Sequence, residues 1–590
     1  MEGKYYTNER NAQIIIYLLK HYGIRNIIAS PGTTNMTFVA SLQHDPFFKM
    51  YSCVDERSAA YMACGMAAES GEPVVITCTG ATASRNYYPG LTEAFYRKLP
   101  VIAITSTQDP ARVGQLCEQV IDRSQCAKDI VVYSEHIQFI EAKSDEWNVT
   151  VKVNKAFHAL KKHGGGPIHL NLETRYSRDF SVKELPSTRV IQYVDYKTQM
   201  PQLPSGKVAV LVGSHRPMSK ELIAAIDKFC KSTGAVVFCS HTSNYKGAFA
   251  VSNTLVAMQD NNSTNLFDID HAIHIGEVSG GDSQLDRVGH KARTVWRVSE
   301  DGEIRDYFKS LTAVFEMNEE SFFNYYANIS DGRNDKIDIE ALHEEYETVY
   351  NQFPELPFSN MWIGKQTIGR LPEGSVLHLG ILNTIRSWNV FTLPKSIICF
   401  SNTGGFGIDG NVSSLIGASL ASPNKLFFGI VGDLAFFYDL NSMGNRHVGA
   451  NVRIMLINNG RGVEFRNPYH PCFPFGEEAD PYMAAAGHFG NKSPELIKHF
   501  AADLGYEYLS ASNKEEFEKV IDRFITSSIT EHPIIFECFT DVEDEKEALW
   551  TTHHIVSDPS IIAKQKAKSA IKSVLGDKGV SVIKSIIGKK

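Results

Sequence analysis

At 590 residues the chain is too long for one hydrophobic core and implies about three domains. With 43% hydrophobic and 21% charged residues it has the composition of a globular protein, which excludes disordered and fibrous classes. A formal net charge of −8 gives no general attraction to phosphate backbones and argues against a nucleic-acid partner.

The N-terminus MEGKYYTNERNAQ has no apolar stretch behind a basic start, and no window reaches the ~18 apolar residues of a spanning helix. Ten cysteines lie scattered from Cys53 to Cys538 without a CxxC pair, the usage of free thiols in a reducing compartment. The expected location is the cytoplasm.

Short apolar runs alternate with helical patterns nearly throughout, so the predicted fold is α/β: three consecutive domains with parallel sheets. In the first, residues 1–185, strands are expected at Asn26–Ala29, Lys49–Val54, Pro73–Cys78 and Pro100–Thr105. Each ends in a polar or Gly-rich turn, and functional groups belong at those C-terminal ends. Pro186–Pro204 reads as a linker, and Lys207–Gly213 opens a central domain at about 190–350. There VAVLVGSHRPMS begins like a nucleotide-binding unit but lacks G-x-G-x-x-G, which argues against a bound flavin. The third domain, about 357–555, has strands near Ser375–Leu379, Ser396–Ser401, Leu426–Val431 and Val452–Ile457. From 560 to 590 runs a basic amphipathic tail, with eight lysines and one acid between Lys564 and Lys590. It fits a helix on anionic lipid, hence peripheral membrane contact, and equally a solvated or partner-packed terminal helix.

The most specific signal is VGDLAFFYDLN at 431–441 followed by INNGRG at 457–462. One buried strand delivers Gly432–Asp433 to a strand end, a helix is expected from about Ala435, and a second buried strand delivers Asn458–Asn459 to the same edge. Alone, GD or NN is a common turn dipeptide. Together, each after a buried strand, they suit a diphosphate, which free N–H groups and a helix dipole attract. Mg²⁺ bridging that diphosphate wants oxygen ligands, and Asp433, Asn459 and the backbone carbonyl of Arg461 are a reasonable protein share.

This pairing resembles the thiamine-diphosphate motif, usually written GDG…NN, of acetolactate synthase, pyruvate oxidase, benzoylformate decarboxylase and their relatives, although this chain has GDL. The wording GDLAFFYDLN is most similar to the menaquinone-pathway synthases that join 2-oxoglutarate to isochorismate. The resemblance covers roughly residues 10–180 and 360–545. It implies thiamine diphosphate and Mg²⁺ as cofactors, with Gly432, Asp433, Leu434 and Ala435 on the diphosphate side. It also requires a glutamate at a strand end of the first domain, which VDERSAAYMACGMA supplies as Glu56. That carboxylate would bond the aminopyrimidine ring, and burial would raise its pKa towards neutrality; taken alone, a glutamate there is only a favourable helix-start charge.

SPGTTN (30–35) and TGATASRNYYPGLTEA (79–94), with Thr79 and Gly80, resemble loops around the pyrimidine, and CEQV puts Gln119 where this branch has a catalytic glutamine. SNTGGFGIDGNVSS (401–414), with Gly407, resembles the segment that wedges the bent cofactor, which assigns Ile408 as the wedge. The Gly380–Asn383 turn resembles the loop meeting the diphosphate, with Arg386 beyond it.

The substrate side departs from the pattern. Where the branch binds anionic substrates with arginines, this chain has Thr34, Gln108 and Thr403, and Arg386 remains. Losing three such contacts, each worth ~1.5–3 kcal/mol, predicts loss of isochorismate recognition. His470, in EFRNPYHPCFPFG, is a candidate proton shuttle, with a structural histidine the favoured reading.

The sequence reading is therefore a thiamine-diphosphate- and Mg²⁺-dependent enzyme that takes CO₂ from a 2-oxo acid and passes the acyl fragment to an unidentified, less charged acceptor. Simple decarboxylation, the menaquinone-pathway reaction itself and a catalytically silent binding subunit stand as alternatives. The resemblance also implies a homodimer or homotetramer, the glutamate-bearing domain of one chain facing the metal-bearing domain of another.

Overall fold

A computed structural model describes residues 5–260, 264–330, 332, 334–487 and 493–556; the basic tail lies outside them. The chain divides into two compact units, residues up to 198 with 302–315, and 199–301 with 316 onward. Among the described residues no helix is long and apolar enough to cross a membrane.

The first unit is built on a parallel six-stranded sheet of β1 (Asn26–Ala29), β2 (Lys49–Ser52), β3 (Val74–Cys78), β4 (Val101–Thr107), β5 (Tyr133–Ile137) and β6 (Ile168–Glu173), in the order β2-β1-β3-β4-β6-β5. β3, β4 and β6 are buried along their whole length, as strands covered on both faces are. One face packs Ile14, Ile15 and Leu18 of the helix Arg10–His21. The other packs the small residues Ala59, Ala60 and Ala63 of the helix Glu56–Ser70.

The central sheet contains β7 (Gln192–Val194), β8 (Val208–Val212), β9 (Val236–Cys239), β10 (Ala250–Val251), β11 (His271–Ile275), β12 (Thr294–Ser299) and β13 (Leu311–Glu316). Five of these run β10-β9-β8-β11-β12 in the second unit, and β13 pairs parallel with β7 in the first. The expected linker therefore contains a strand: β7 is only three residues long, too short to show a period among the prolines around it.

The third sheet, also in the second unit, is parallel and six-stranded: β14 (Val376–Leu379), β15 (Ile398–Phe400), β16 (Phe427–Gly432), β17 (Val452–Asn458), β18 (Glu507–Ala511) and β19 (Ile534–Phe539), ordered β15-β14-β16-β17-β19-β18. The helix expected from Ala435 starts at Asp433, because Gly432 ends β16 in extended conformation and acts as its N-cap. The protein is thus three parallel-sheet α/β domains.

Candidate active site

In a parallel sheet all strand C-termini share one edge. On that edge of the first unit the loop after β1 folds onto the end of β3: Thr34 is 6% exposed and its hydroxyl meets that of Thr79. Gly32 permits this approach, since a Cβ there would lie 2.4 Å from the Thr79 Cβ. Gly80 follows, its α-carbon turned toward the backbone carbonyl of Gln119, where a Cβ would stand 2.9 Å away. Gln119 itself is exposed, in the left-handed region at φ +61°.

Glu56 opens its helix just past β2, with Asp55 as the N-cap accepting from Arg57 N. The sequence reading expected a carboxylate buried against apolar neighbours; within its unit Glu56 is only half-buried, because β2 is a largely exposed edge strand. Its Oε2 accepts from Asn86 Nδ2 at 3.4 Å. Its charge also reaches the interior, adding to the burial that pushes the Cys78 thiol up to about 12.

Two arginines that the motif reading missed serve this edge. Arg112 donates to Gln108 Oε1, so a guanidinium stands where Gln108 interrupts the pattern. Arg123, 4% exposed, donates to Thr79 O at 3.3 Å and Ser106 O at 2.7 Å, stapling the ends of β3 and β4 together. Burial pushes its pKa down. Arg123 belongs to no local motif, because its partners are distant in sequence, whereas Arg112 lies only four residues beyond its partner Gln108.

On the third sheet, β16 and β17 are neighbours with Gly432 opposite Ile457, so Asp433 and the Asn458–Asn459 pair leave adjacent strand ends. Asp433 is 2% exposed, and its Oδ1 accepts from Leu434 N at 2.8 Å. The two asparagines divide their roles. Asn458 turns inward and donates to Glu537 Oε1 at 2.7 Å, while Asn459 is half-buried at the edge and accepts from Arg461 N at 3.4 Å. Glu537 also accepts from Tyr508 OH at 2.8 Å; burial raises its pKa, and the charge of Asp433 acts in the same direction. Gly432 and Leu434 are half-buried, and Ala435 is buried.

β14 delivers Gly380 beside β16, where its N–H donates to Ile430 O at 2.8 Å. Leu382 then takes φ +69° and starts the short helix Asn383–Trp388, which carries Arg386. A branched residue held there costs on the order of 1–3 kcal/mol, a strain that tends to collect at functional loops. Phe406, at φ +57°, bends the loop after β15 just before Gly407 and Ile408, both half-buried. In that loop Thr403 is 5% exposed.

Past Asn459 the chain is pinned by Asp480, whose Oδ2 accepts from Arg461 at 2.5 Å and Arg466 at 2.7 Å. Here His470 holds a turn, its Nδ1 accepting from Cys472 N at 3.1 Å and its ring edge-on to Phe465. The candidate residues thus fall into two sets, one per unit: Thr34, Glu56, Thr79, Gly80, Gln108 and Gln119 in the first, the remainder in the second. None lines the cavity of about 740 Å³ at the C-terminal end of the central sheet, bounded by Ser214, Arg216, Glu277, Arg297 and Asp301.

The donor set beside β16 and β17 is one carboxylate, one amide oxygen and one backbone carbonyl, all hard oxygens that fit Mg²⁺. Among the described residues no cluster of three or more His, Cys, Asp or Glu side chains could hold a metal. A single carboxylate fits an ion that takes its other ligands from a diphosphate. The buried Ser401 hydroxyl, after β15 on the same edge, has no hydrogen-bond partner among the described residues.

Residues 10–126 match a family model described as thiamine pyrophosphate enzyme, N-terminal TPP binding domain. A 2-succinyl-5-enolpyruvyl-6-hydroxy-3-cyclohexene-1-carboxylate synthase of Phocaeicola vulgatus is 30% identical over 93% of this chain and 99% of its own. The synthase of the same name from Bacteroides thetaiotaomicron is 29% identical with the same coverages. Among solved structures, a Rhodococcus jostii RHA1 thiamine diphosphate-dependent 4-hydroxybenzoylformate decarboxylase aligns over 90% of this chain and 99% of that chain, at 15% identity and a TM-score of 0.39. The sheet edges and the sequence matches together define a class, the thiamine-diphosphate-dependent enzymes that form or cleave carbon–carbon bonds. Within it, the chain belongs to the family of the 2-succinyl-5-enolpyruvyl-6-hydroxy-3-cyclohexene-1-carboxylate synthases.

Proposed function

We propose that this enzyme is a Mg²⁺-dependent 2-oxo acid decarboxylase–carboligase, which removes CO₂ and passes the acyl fragment to an acceptor carrying fewer carboxylates than isochorismate. The observation that carries the reading is the adjacency of β16 and β17, which sets Asp433 and Asn459 at neighbouring strand ends. When bound, thiamine diphosphate supplies the electron sink for the breaking carbon–carbon bond. Asp433, Asn459 and the Arg461 carbonyl would hold the metal. Glu56, with Asn86 fixing one carboxylate oxygen, would exchange a proton with the aminopyrimidine ring. Thr34 and Thr403 are uncharged, which supports an aldehyde or keto-sugar acceptor.

The working assembly is a homodimer or homotetramer. The helix Glu56–Ser70 leaves Tyr61 48% and Met62 42% exposed, and Val54 just before it is 77% exposed. An apolar face beside Glu56 suits a protein partner better than water.

The test is CO₂ release from a panel of 2-oxo acids, with and without candidate acceptors. Release should require both thiamine diphosphate and Mg²⁺ and should fall by at least ~100-fold in Glu56→Gln, the scale of a lost proton-transfer group. Release from no 2-oxo acid, or an unaffected Glu56→Gln, would refute the proposal.

A further inference from the structure

We propose that Glu464 is a specificity-determining residue: by pairing with Arg386 it masks that charge and turns away substrates with a second carboxylate. This rests on the reading above, which places Arg386 on the substrate side of the site.

Arg386 stands on the helix after β14, the strand next to β16, which delivers Asp433, so its guanidinium belongs to the edge that carries the proposed metal ligands. Arg386 Nη1 donates to Glu464 Oε1; the Glu464 side chain is only 12% exposed and that of Arg386 is 35% exposed. Glu464 lies in the short 3₁₀ turn Val463–Arg466, three residues beyond Arg461. Its position is therefore tied to the metal loop. The two neighbouring guanidiniums, Arg461 and Arg466, are both engaged by Asp480, which leaves Glu464 to Arg386.

The other side of Arg386 faces backbone. Gly281, at φ +83°, comes so near that a Cβ there would lie 3.8 Å from both Nε and Nη2. At Gly280 a Cβ would lie 3.1 Å from Thr403 Cγ2 and 3.3 Å from Ile385 Cδ1, so this loop packs against Thr403 and Ile385. Arg386, Thr403 and Glu464 thus line one small region whose paired charges sum to zero.

A planar guanidinium is the best protein receptor for a substrate carboxylate, because its donors match both oxygens. Here one donor is already committed to a largely buried carboxylate. A second substrate carboxylate would have to displace Glu464 or sit beside it as a like charge, and next to a largely buried carboxylate that repulsion is only weakly screened. A hydroxyl, carbonyl or methyl group at the same place meets no such cost. The pair therefore selects 2-oxo acids with an uncharged side chain.

The experiment compares 2-oxoglutarate with 2-oxopentanoate, which differ in a terminal carboxylate against a methyl group. Binding is measured by calorimetry on protein loaded with thiamine diphosphate and Mg²⁺, in the Glu56→Gln background so that turnover does not intervene. Adding Glu464→Gln should tighten 2-oxoglutarate by about 10-fold or more, the scale of one recovered charged contact, while 2-oxopentanoate changes by less than about 3-fold. Glu464→Asp should behave as the parent, and Arg386→Met added to Glu464→Gln should cancel the gain. An unchanged preference, or weaker 2-oxoglutarate binding in Glu464→Gln, overturns the proposal. Cofactor affinity measured on each variant separates misfolding from specificity, and Glu464→Ala, which also removes the charge, carries the comparison if the glutamine variant fails to fold. CO₂ release by the unmodified enzyme reports separately on the parent reading: release from 2-oxopentanoate together with an unchanged preference sinks the role of Glu464 alone. Absence of release and of binding by either acid sinks both.

Discussion

Asp433 and Glu545 are two buried carboxylates in one domain with opposite requirements. Asp433 sits at a strand end beside an asparagine, where on the proposed function a divalent cation would compensate its charge. Asp433→Ala should abolish Mg²⁺-dependent binding of thiamine diphosphate, because the diphosphate loses the ion that neutralises it; calorimetry with unchanged affinity would contradict the assignment. Glu545 is 5% exposed, accepts from Asn360 N at 2.9 Å and Thr540 Oγ1 at 2.8 Å, and is pushed by burial from 4.5 up to about 7. The folded state therefore binds a proton that the unfolded state has released. That contribution is full below about pH 4.5 and is lost as pH rises to about 7, a decline of roughly 3 kcal/mol. Glu545→Gln keeps the acceptor and removes the charge. Its melting temperature relative to the parent should rise between about pH 5 and pH 8, and a difference that stays flat would show that Glu545 remains ionised in the fold.

The segment from Val463 to Ala486 is an element without regular strands or long helices, and Asp480 supplies its order. It gathers Arg461 and Arg466, and Gly462 N donates to Ala484 O at 2.6 Å, closing the segment on itself. Tyr469 OH then donates to Asp260 Oδ2 at 2.6 Å, tying the segment to the central domain. Asp480→Ala leaves two part-buried guanidiniums without their carboxylate, at a cost of about 3–5 kcal/mol for breaking a buried pair. Limited proteolysis should then cut between Arg461 and Ala486 several-fold faster, and cofactor affinity should fall if, as proposed, the Arg461 carbonyl holds the metal. Cleavage at the parent rate would show that other contacts hold the segment.

For the whole molecule the proposed state in solution is a dimer or tetramer, since the first unit holds Glu56, the second holds the proposed metal ligands, and the helix Glu56–Ser70 exposes Tyr61 and Met62. Light scattering that found a fully active monomer would contradict this. Much of the architecture was legible in the chain itself. β1 falls where periodicity puts it, β3, β4, β16 and β17 lie within two residues of expectation, and the paired dipeptides at 432–433 and 458–459 leave adjacent strands as their spacing implied. Buried strands and their turns are local in sequence, so hydrophobic runs and turn residues determine them. Three features depended on the tertiary fold. β7 exists only because β13 offers it a partner, Glu56 is half-buried because β2 lies at a sheet edge, and Arg123, Glu464 and Asp480 acquire roles only from groups brought near them. The physical reason is that a charge is defined by what surrounds it: Arg386 read alone is an anion receptor, and only the folded chain sets Glu464 against it.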